Sequence, residues 1–335
     1  MKSIDILVDY LGSAKQVPAL IDGIQAYEPK AKINVAYSLK DKHNDYTFLE
    51  KDLKDYKNVS FKEDDLSPES VRVRLDTLYN HTTLMNHDNI ALHIDPLKFS
   101  KQKLLSENEI ANLKDFYGVK DSHKVITAGS TAMEEFPLVV ASLMKTMDYN
   151  PNTKAIIAPR WYPEELMDTL KAEGIPFTTD QNIDKDSNLV VITKEGTLAD
   201  IYSFTDKTII GDTFISDGGG QNPIEPAVYQ NQIISGKFNK NNEFAYNVLE
   251  ASGLMKRIEG SDLTKELQRD LSKDELKKAK ENAEKVFTFM KNSNLTYGEI
   301  IARMANGSIT REQAKGLLNQ YGSTYSDDMD VPIPK

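Results

Sequence analysis

The sequence contains no cysteine, which removes disulfide bonds, thiol nucleophiles and thiolate metal sites and suits a reducing compartment. Histidine is scarce. Of the five, His43, His81, His87, His93 and His123, no two stand at the i, i+4 spacing by which a helix presents a zinc site. No apolar run approaches the roughly 18 to 20 residues that a membrane-spanning helix needs. The opening stretch, one lysine followed by an acid-interrupted apolar run, does not read as a signal peptide. Positive charge is not in surplus either. With 41 basic against 51 acidic residues the formal charge is −10, so the overall field attracts neither nucleic acid nor an anionic membrane. No P-loop, no Gly-x-Gly-x-x-Gly fingerprint after a strand and no Gly-x-Ser-x-Gly elbow is present. The expected setting is the cytoplasm, with peripheral contact to the inner face of a membrane left open.

What is there is ordinary globular material: 39% hydrophobic and 27% charged residues over 335 positions, a length that favours two domains with a core each. Strand-like runs rich in Val, Ile and Leu fall at residues 4–8, 33–37, 90–94, 124–128, 155–158, 189–192, 208–212 and 232–235. Helix-length amphipathic segments alternate with them at 15–28, 135–147, 163–173, 223–230 and 241–252. This alternation predicts an α/β fold with parallel sheets covered on both faces. Residues 40–78 are polar with weak periodicity and suggest only a helix or two. A boundary is expected near 98–122, where Ser100-Lys101-Gln102 and Ser106-Glu107-Asn108 flank a short helix. The expected division is an α/β domain over 1–98, a second over 99–271, a helical extension over 272–323 and a disordered tail over 324–335. Within the extension, 273–290 reads as one long helix, and Thr310-Arg311-Glu312-Gln313 has capping-box spacing.

Chemistry concentrates in Asp217-Gly218-Gly219-Gly220-Gln221-Asn222-Pro223-Ile224-Glu225-Pro226-Ala227. Consecutive glycines mark a chain that turns sharply or lies against something bulky. Asn222 reads as a helix N-cap with Pro223 at the first helical position. A glycine loop feeding a helix start suits a phosphate, and Glu225 in the first turn suits the hydroxyls of a ribose. A plain turn before a helix is the competing reading. Upstream, Ala128-Gly129-Ser130-Thr131-Ala132-Met133-Glu134-Glu135 follows a predicted strand, at the sheet edge where open α/β folds bind ligands. Ser130 or Thr131 acting as a simple helix cap remains open there. Ala158-Pro159-Arg160 ends another strand, and the Arg160 guanidinium fits a phosphate or a base carbonyl as readily as a surface ion pair. Trp161, the single tryptophan, either packs against protein or stacks on a sugar.

These strings, together with Leu97-Lys98-Phe99, resemble in order the motifs of the 3-deoxy-D-manno-octulosonic acid (Kdo) transferases, chiefly over residues 90–255. Gln221 stands where the family has histidine and Ile224 where it has leucine. The resemblance implies a GT-B fold, two Rossmann-type domains facing a cleft, with an abbreviated acceptor-side N-terminal half and a nucleotide-sugar-binding C-terminal half. It also implies inverting, metal-independent transfer of Kdo or a related sugar from a CMP-activated donor to a lipid or glycan acceptor, with no cofactor and no nucleic acid. Donor contacts would come from Gly129, Ser130, Thr131, Arg160, Gly218, Gly219, Gly220, Asn222 and Glu225, with Lys98 helping to stabilise the leaving phosphate. One departure matters. In Val8-Asp9-Tyr10-Leu11-Gly12-Ser13-Ala14, Ser13 occupies the place of the family's glutamate base, leaving Asp9 either as a substitute carboxylate or as a plain turn residue at the strand end. A catalytically silent relative that binds a sugar nucleotide or a protein partner is therefore the second reading, and a sugar-nucleotide epimerase a weaker third.

Overall fold

The computed structural model describes residues 2–8, 14–37, 47–63, 70–76, 89–93, 97, 104–314 and 316–318. It divides into two units, the first formed by residues 1–101 with 285–335 and the second by residues 102–284.

The first unit is built on a five-stranded, all-parallel sheet of β1 (Ile4–Val8), β2 (Ile33–Tyr37), β3 (Val59–Glu63), β4 (Val71–Asp76) and β5 (Asn89–His93). Its order, β3-β2-β1-β4-β5, is that of a Rossmann-type unit. Where a helix or two was expected over 40–78, the described residues hold one short helix, Thr47–Leu53, and the two strands β3 and β4. β4 reads Val-Arg-Val-Arg-Leu-Asp, and its alternating charges hide a strand that lies between β1 and β5. The helix Val17–Tyr27 buries Val17, Leu20, Ile21 and Ile24, the i, i+3, i+4, i+7 stripe of an amphipathic helix.

The expected helical extension over 272–323 is not a separate element. The division between the units falls inside the helix Lys273–Lys291, and the helix Ser293–Ala305 belongs to the first unit's core through Tyr297, Ile300, Ile301 and Ala305. Glycine makes this docking possible. A Cβ built on Gly23 would lie 1.8 Å from the carbonyl oxygen of Asn294, and one on Gly298 would lie 2.0 Å from the carbonyl carbon of Gly23. The two helices therefore touch backbone to backbone. Past them, Thr310 and Gln313 form the expected capping box, with Gln313 Oε1 accepting from the Thr310 amide at 2.8 Å. Residues 319–335, which include the expected disordered tail, lie outside the described residues.

The second unit carries a seven-stranded parallel sheet: β6 (Lys124–Thr131), β7 (Thr153–Pro159), β8 (Thr178–Thr179), β9 (Leu189–Val191), β10 (Lys207–Ile210), β11 (Gln232–Ser235) and β12 (Met255–Arg257). The order is β12-β11-β10-β6-β7-β9-β8. The chain runs from β6 to one side through β7 and returns to the other side at β10, so the topological switch point lies between β6 and β10. The unit opens on the helix Glu107–Phe116, which begins at a capping box of Ser106 and Glu109. β7 and β10 each start one or two residues earlier than the apolar pattern suggests, because Lys154 and Lys207 are buried within them. Lys207 Nζ donates to Leu267 O at 2.7 Å and also to Glu266 O and Arg269 O, closing the end of the helix Leu263–Gln268. No helix among the described residues is long and apolar enough to cross a membrane.

Candidate functional site

At the carboxyl edge of the second sheet the backbone is strained where three strands end. Ser130 at the end of β6, Tyr162 after β7 and Asp212 after β10 all take left-handed φ angles, 54°, 60° and 60°, although none is glycine. Such conformations cost on the order of 1–3 kcal/mol each and gather at functional sites. At Ser130 the pairing with β7 shifts register, Gly129 facing Ala158 and Thr131 facing Pro159. Ser130 is partly exposed, whereas its neighbours are not. Gly129 sits under Tyr202, whose hydroxyl would be 2.0 Å from an added Cβ. Thr131, expected among the donor contacts, is completely buried, and its hydroxyl finds no hydrogen-bond partner. Of the three, only Ser130 presents its side chain at the edge.

The glycine loop corrects a second expectation. The amides of Gly218, Gly220 and Gln221 donate to Ile215 O, Asp212 O and Gly211 O at 3.0, 2.9 and 3.3 Å, and that of Gly219 to the Asp212 carboxylate at 3.1 Å. The carbonyls are engaged as well. Gly219 O accepts from the Asn241 amide at 2.8 Å, Gly220 O from Asn242 Nδ2 at 2.8 Å and Gln221 O from the Tyr246 hydroxyl at 2.9 Å. A Cβ at Gly218 would stand 2.4 Å from Asp212 O, and one at Gly219 1.9 Å from Asn241 Nδ2. These glycines let the loop press between the end of β10 and the segment 239–246, and their amides are spent inside the protein rather than turned toward a phosphate.

Asn222 caps the turn that follows, from one residue further out than expected, since Pro223 holds the cap position of the helix Ile224–Val228. Its Oδ1 accepts from the Ile224 amide at 3.1 Å and its Nδ2 donates to Glu225 Oε1 at 3.2 Å. Glu225 is partly exposed at the head of this single turn, which is too short to carry much of a dipole.

Glu135 carries the edge, in a role the sequence did not assign. Buried to 1% exposure, its carboxylate accepts four backbone N–H groups: Ala132 and Asp212 on Oε2 at 2.9 and 2.8 Å, Thr213 and Phe214 on Oε1, both at 2.9 Å. One side chain thus ties the loop after β6 to the loop after β10, across the switch point. The pair Glu134-Glu135 was visible in the sequence, but nothing there distinguished the exposed first acid from the buried second.

Arg160 is exposed at the end of β7, its amide bonded to Thr131 O at 2.9 Å and its guanidinium 5.2 Å from the centre of the Trp161 ring. It makes no ion pair among the described residues. Trp161 is exposed too, so it is not packed into the core of this chain. Asp9, Ser13 and Lys98 lie outside the described residues; Leu97, beside Lys98, is fully buried. No group of three or more His, Asp or Glu among the described residues is placed to hold a metal ion.

Two phenols lie beneath the edge. Burial pushes Tyr202 and Tyr246 well above the ordinary 10.0, the Glu225 carboxylate adding to the rise at Tyr202. Folded values above unfolded ones mean that their contribution to stability is intact below pH 10 and is lost as pH climbs from there toward the folded values. Phenolate absorbance and far-UV circular dichroism followed together in alkali should therefore show a final group of tyrosines ionising in the same step as unfolding. Complete tyrosine ionisation with the dichroism unchanged would refute this.

No protein-family model matches the chain. A curated relative from Fusobacterium nucleatum subsp. nucleatum, a bifunctional glycosyltransferase/methyltransferase, is 26% identical over 157 residues, 44% of this chain and 24% of that protein. The chain thus matches less than a quarter of that relative's length. Among solved structures, a mutant O-GlcNAc transferase of Thermobaculum terrenum aligns over 95% of this chain and 69% of its own, at 11% identity and a TM-score of 0.50. The C-terminal CMP-Kdo binding domain of WaaA from Acinetobacter baumannii aligns over 66% of this chain and 98% of its own, at 15% identity and a TM-score of 0.42. The chain has the two-unit, Rossmann-like α/β architecture of the GT-B fold.

Proposed function

We propose that the chain is a glycosyltransferase whose nucleotide-activated donor binds at the carboxyl edge of the second sheet. The observation that carries this reading is the coincidence of three strained strand ends, at Ser130, Tyr162 and Asp212, with an exposed guanidinium at Arg160 that has no carboxylate partner among the described residues. Backbone strain of this kind clusters at ligand sites. The Kdo-transferase motifs and the glycosyltransferase named above point to the same chemistry.

Within that reading the donor is a CMP-activated sugar, Kdo or a relative. Arg160 takes the phosphate, Glu225 the ribose hydroxyls and Ser130 a phosphate or sugar oxygen. An acceptor hydroxyl on a lipid or glycan attacks the anomeric carbon, the carbon–oxygen bond to the phosphate breaks, and CMP leaves with the bonding pair. The configuration inverts, no metal takes part, and the acceptor's proton passes to a carboxylate, for which Asp9 is the candidate. Arg160 opposes the growing phosphate charge. A peripheral position at the inner face of a membrane would bring a lipid acceptor within reach.

A second reading is favoured by Ser13 in the place of the base and by the internally satisfied glycine loop: the chain binds the sugar nucleotide without turning it over.

Thermal melting with CMP, CMP-Kdo and UDP tests the proposal. A ligand that binds only the folded state at a hundred times its Kd stabilises by about 2.7 kcal/mol. CMP and its sugar should raise Tm more than UDP, and Arg160→Ala or Glu225→Ala should remove most of the gain. Absence of a shift with every nucleotide at millimolar concentration would overturn it. Binding with neither transfer nor donor hydrolysis would select the silent reading.

A further inference from the structure

The side chains of Arg160, Trp161 and Tyr162 make no hydrogen bond or ion pair among the described residues, although the Arg160 amide donates to Thr131 O. Trp161 is 60% exposed and Tyr162 57%, a pair of large aromatics kept in water beside a cation. The Arg160 guanidinium covers one face of the indole at 5.2 Å, the geometry of a cation–π pair. Tyr162 is held at φ 60° and ψ 53°, although the residue before a proline, here Pro163, ordinarily stays extended. The strain turns the chain sharply between β7 and the helix Pro163–Ala172.

We infer that Trp161 is the stacking platform for the base of the nucleotide whose phosphate Arg160 takes, an inference that rests on the donor site proposed above. Position supports a base over a sugar. In Rossmann-type units the phosphate sits at the turn after the first strand, and the rest of the ligand lies along the carboxyl ends of the neighbouring strands. Here those strands are β6, ending at Ser130 and Thr131, and β7, whose end is followed by Trp161. Charge agrees with position. A ligand stacked on the indole brings its own anion beside a guanidinium that has no carboxylate among the described residues. The ligand class is a nucleotide, base and phosphate together, and the base contact is sequence-tolerant because every base has a π face.

The chain carries one tryptophan, so its fluorescence reports this side chain alone. Titration with CMP should quench Trp161 emission and shield it from acrylamide. Ribose 5-phosphate, which lacks the ring, should leave both unchanged, and cytidine, which lacks the anion, should act only at much higher concentration. Trp161→Ala should weaken CMP binding on the order of tenfold or more, with an unchanged Tm in the absence of nucleotide, and Trp161→Phe should recover most of the affinity. If CMP raises Tm while emission and acrylamide quenching stay as they were, the stacking role fails and the donor site stands. Equal quenching by ribose 5-phosphate would also rule out the base. If no nucleotide changes either signal, both readings fall.

Discussion

Gly298→Ala should destabilise the first unit by about 3 kcal/mol, against the sign that helix propensity gives. In a solvent-facing helix, glycine to alanine gains roughly 1 kcal/mol. Here the added methyl would meet the carbonyl carbon and oxygen of Gly23 at 2.0 and 2.3 Å and the Ile24 amide nitrogen at 2.4 Å. All three are backbone atoms inside a helix, so no rotamer change relieves the contact. The helices must move apart, and overpacking of this kind costs about 1–3 kcal/mol or more. Gly316→Ala is the control, because a Cβ there meets nothing. Urea unfolding should order the proteins as Gly316→Ala at least equal to the parent, and Gly298→Ala well below both. Hydrogen exchange should show the lost protection concentrated in Val17–Tyr27 and Ser293–Ala305. A Gly298→Ala protein as stable as the parent would refute the backbone contact.

Glu135→Gln should cost about 3 kcal/mol as well, for an electrostatic reason. The glutamine amide keeps the volume, yet it replaces one acceptor oxygen by an NH2 aimed at backbone N–H groups. Two of the four amides, either Ala132 and Asp212 or Thr213 and Phe214, then face a donor in a buried setting. At ~2–4 °C per kcal/mol, the melting temperature should fall by roughly 10 °C. The site should suffer beyond the fold. With the strand ends no longer tied together, nucleotide-dependent stabilisation should shrink even well below the melting transition, which isothermal titration can measure. A variant that melts and binds like the parent would show that the carboxylate is not what holds the two loops.

The sequence carried the parallel α/β plan because strands such as β1, β2 and β11 are short apolar runs between amphipathic helices, and their bounds were legible to the residue. It concealed β3 and β4, where Ser60, Lys62, Arg72 and Arg74 break the apolar pattern inside strands that pair normally. Lys154 and Lys207 shortened two further strands for the same reason: a buried lysine looks like a boundary until the carbonyls that accept its ammonium are seen. The glycine loop was located correctly, but the partners of its amides come from Asp212, Gly211 and Ile215, which only the folded chain brings close. Gly23 and Gly298 offered a signal that could have been used. An isolated glycine inside a helical pattern loses about 1 kcal/mol to alanine and usually has a packing reason. What no pattern could supply was the pairing of Gly23 with Gly298, positions far apart in the chain that only the folded first unit brings together.

Because the first unit draws on both early and late stretches of the chain, its birth is interrupted. A ribosome releases β1 to β5, then everything from residue 102 to 284, and only afterwards the helix that carries Tyr297, Ile300 and Ile301. The second unit can reach maturity while its predecessor still waits with the glycine face of Val17–Tyr27 uncovered. Of these two units, the one whose synthesis begins earlier is thus completed later, and its sheet waits longest for the helix that closes it.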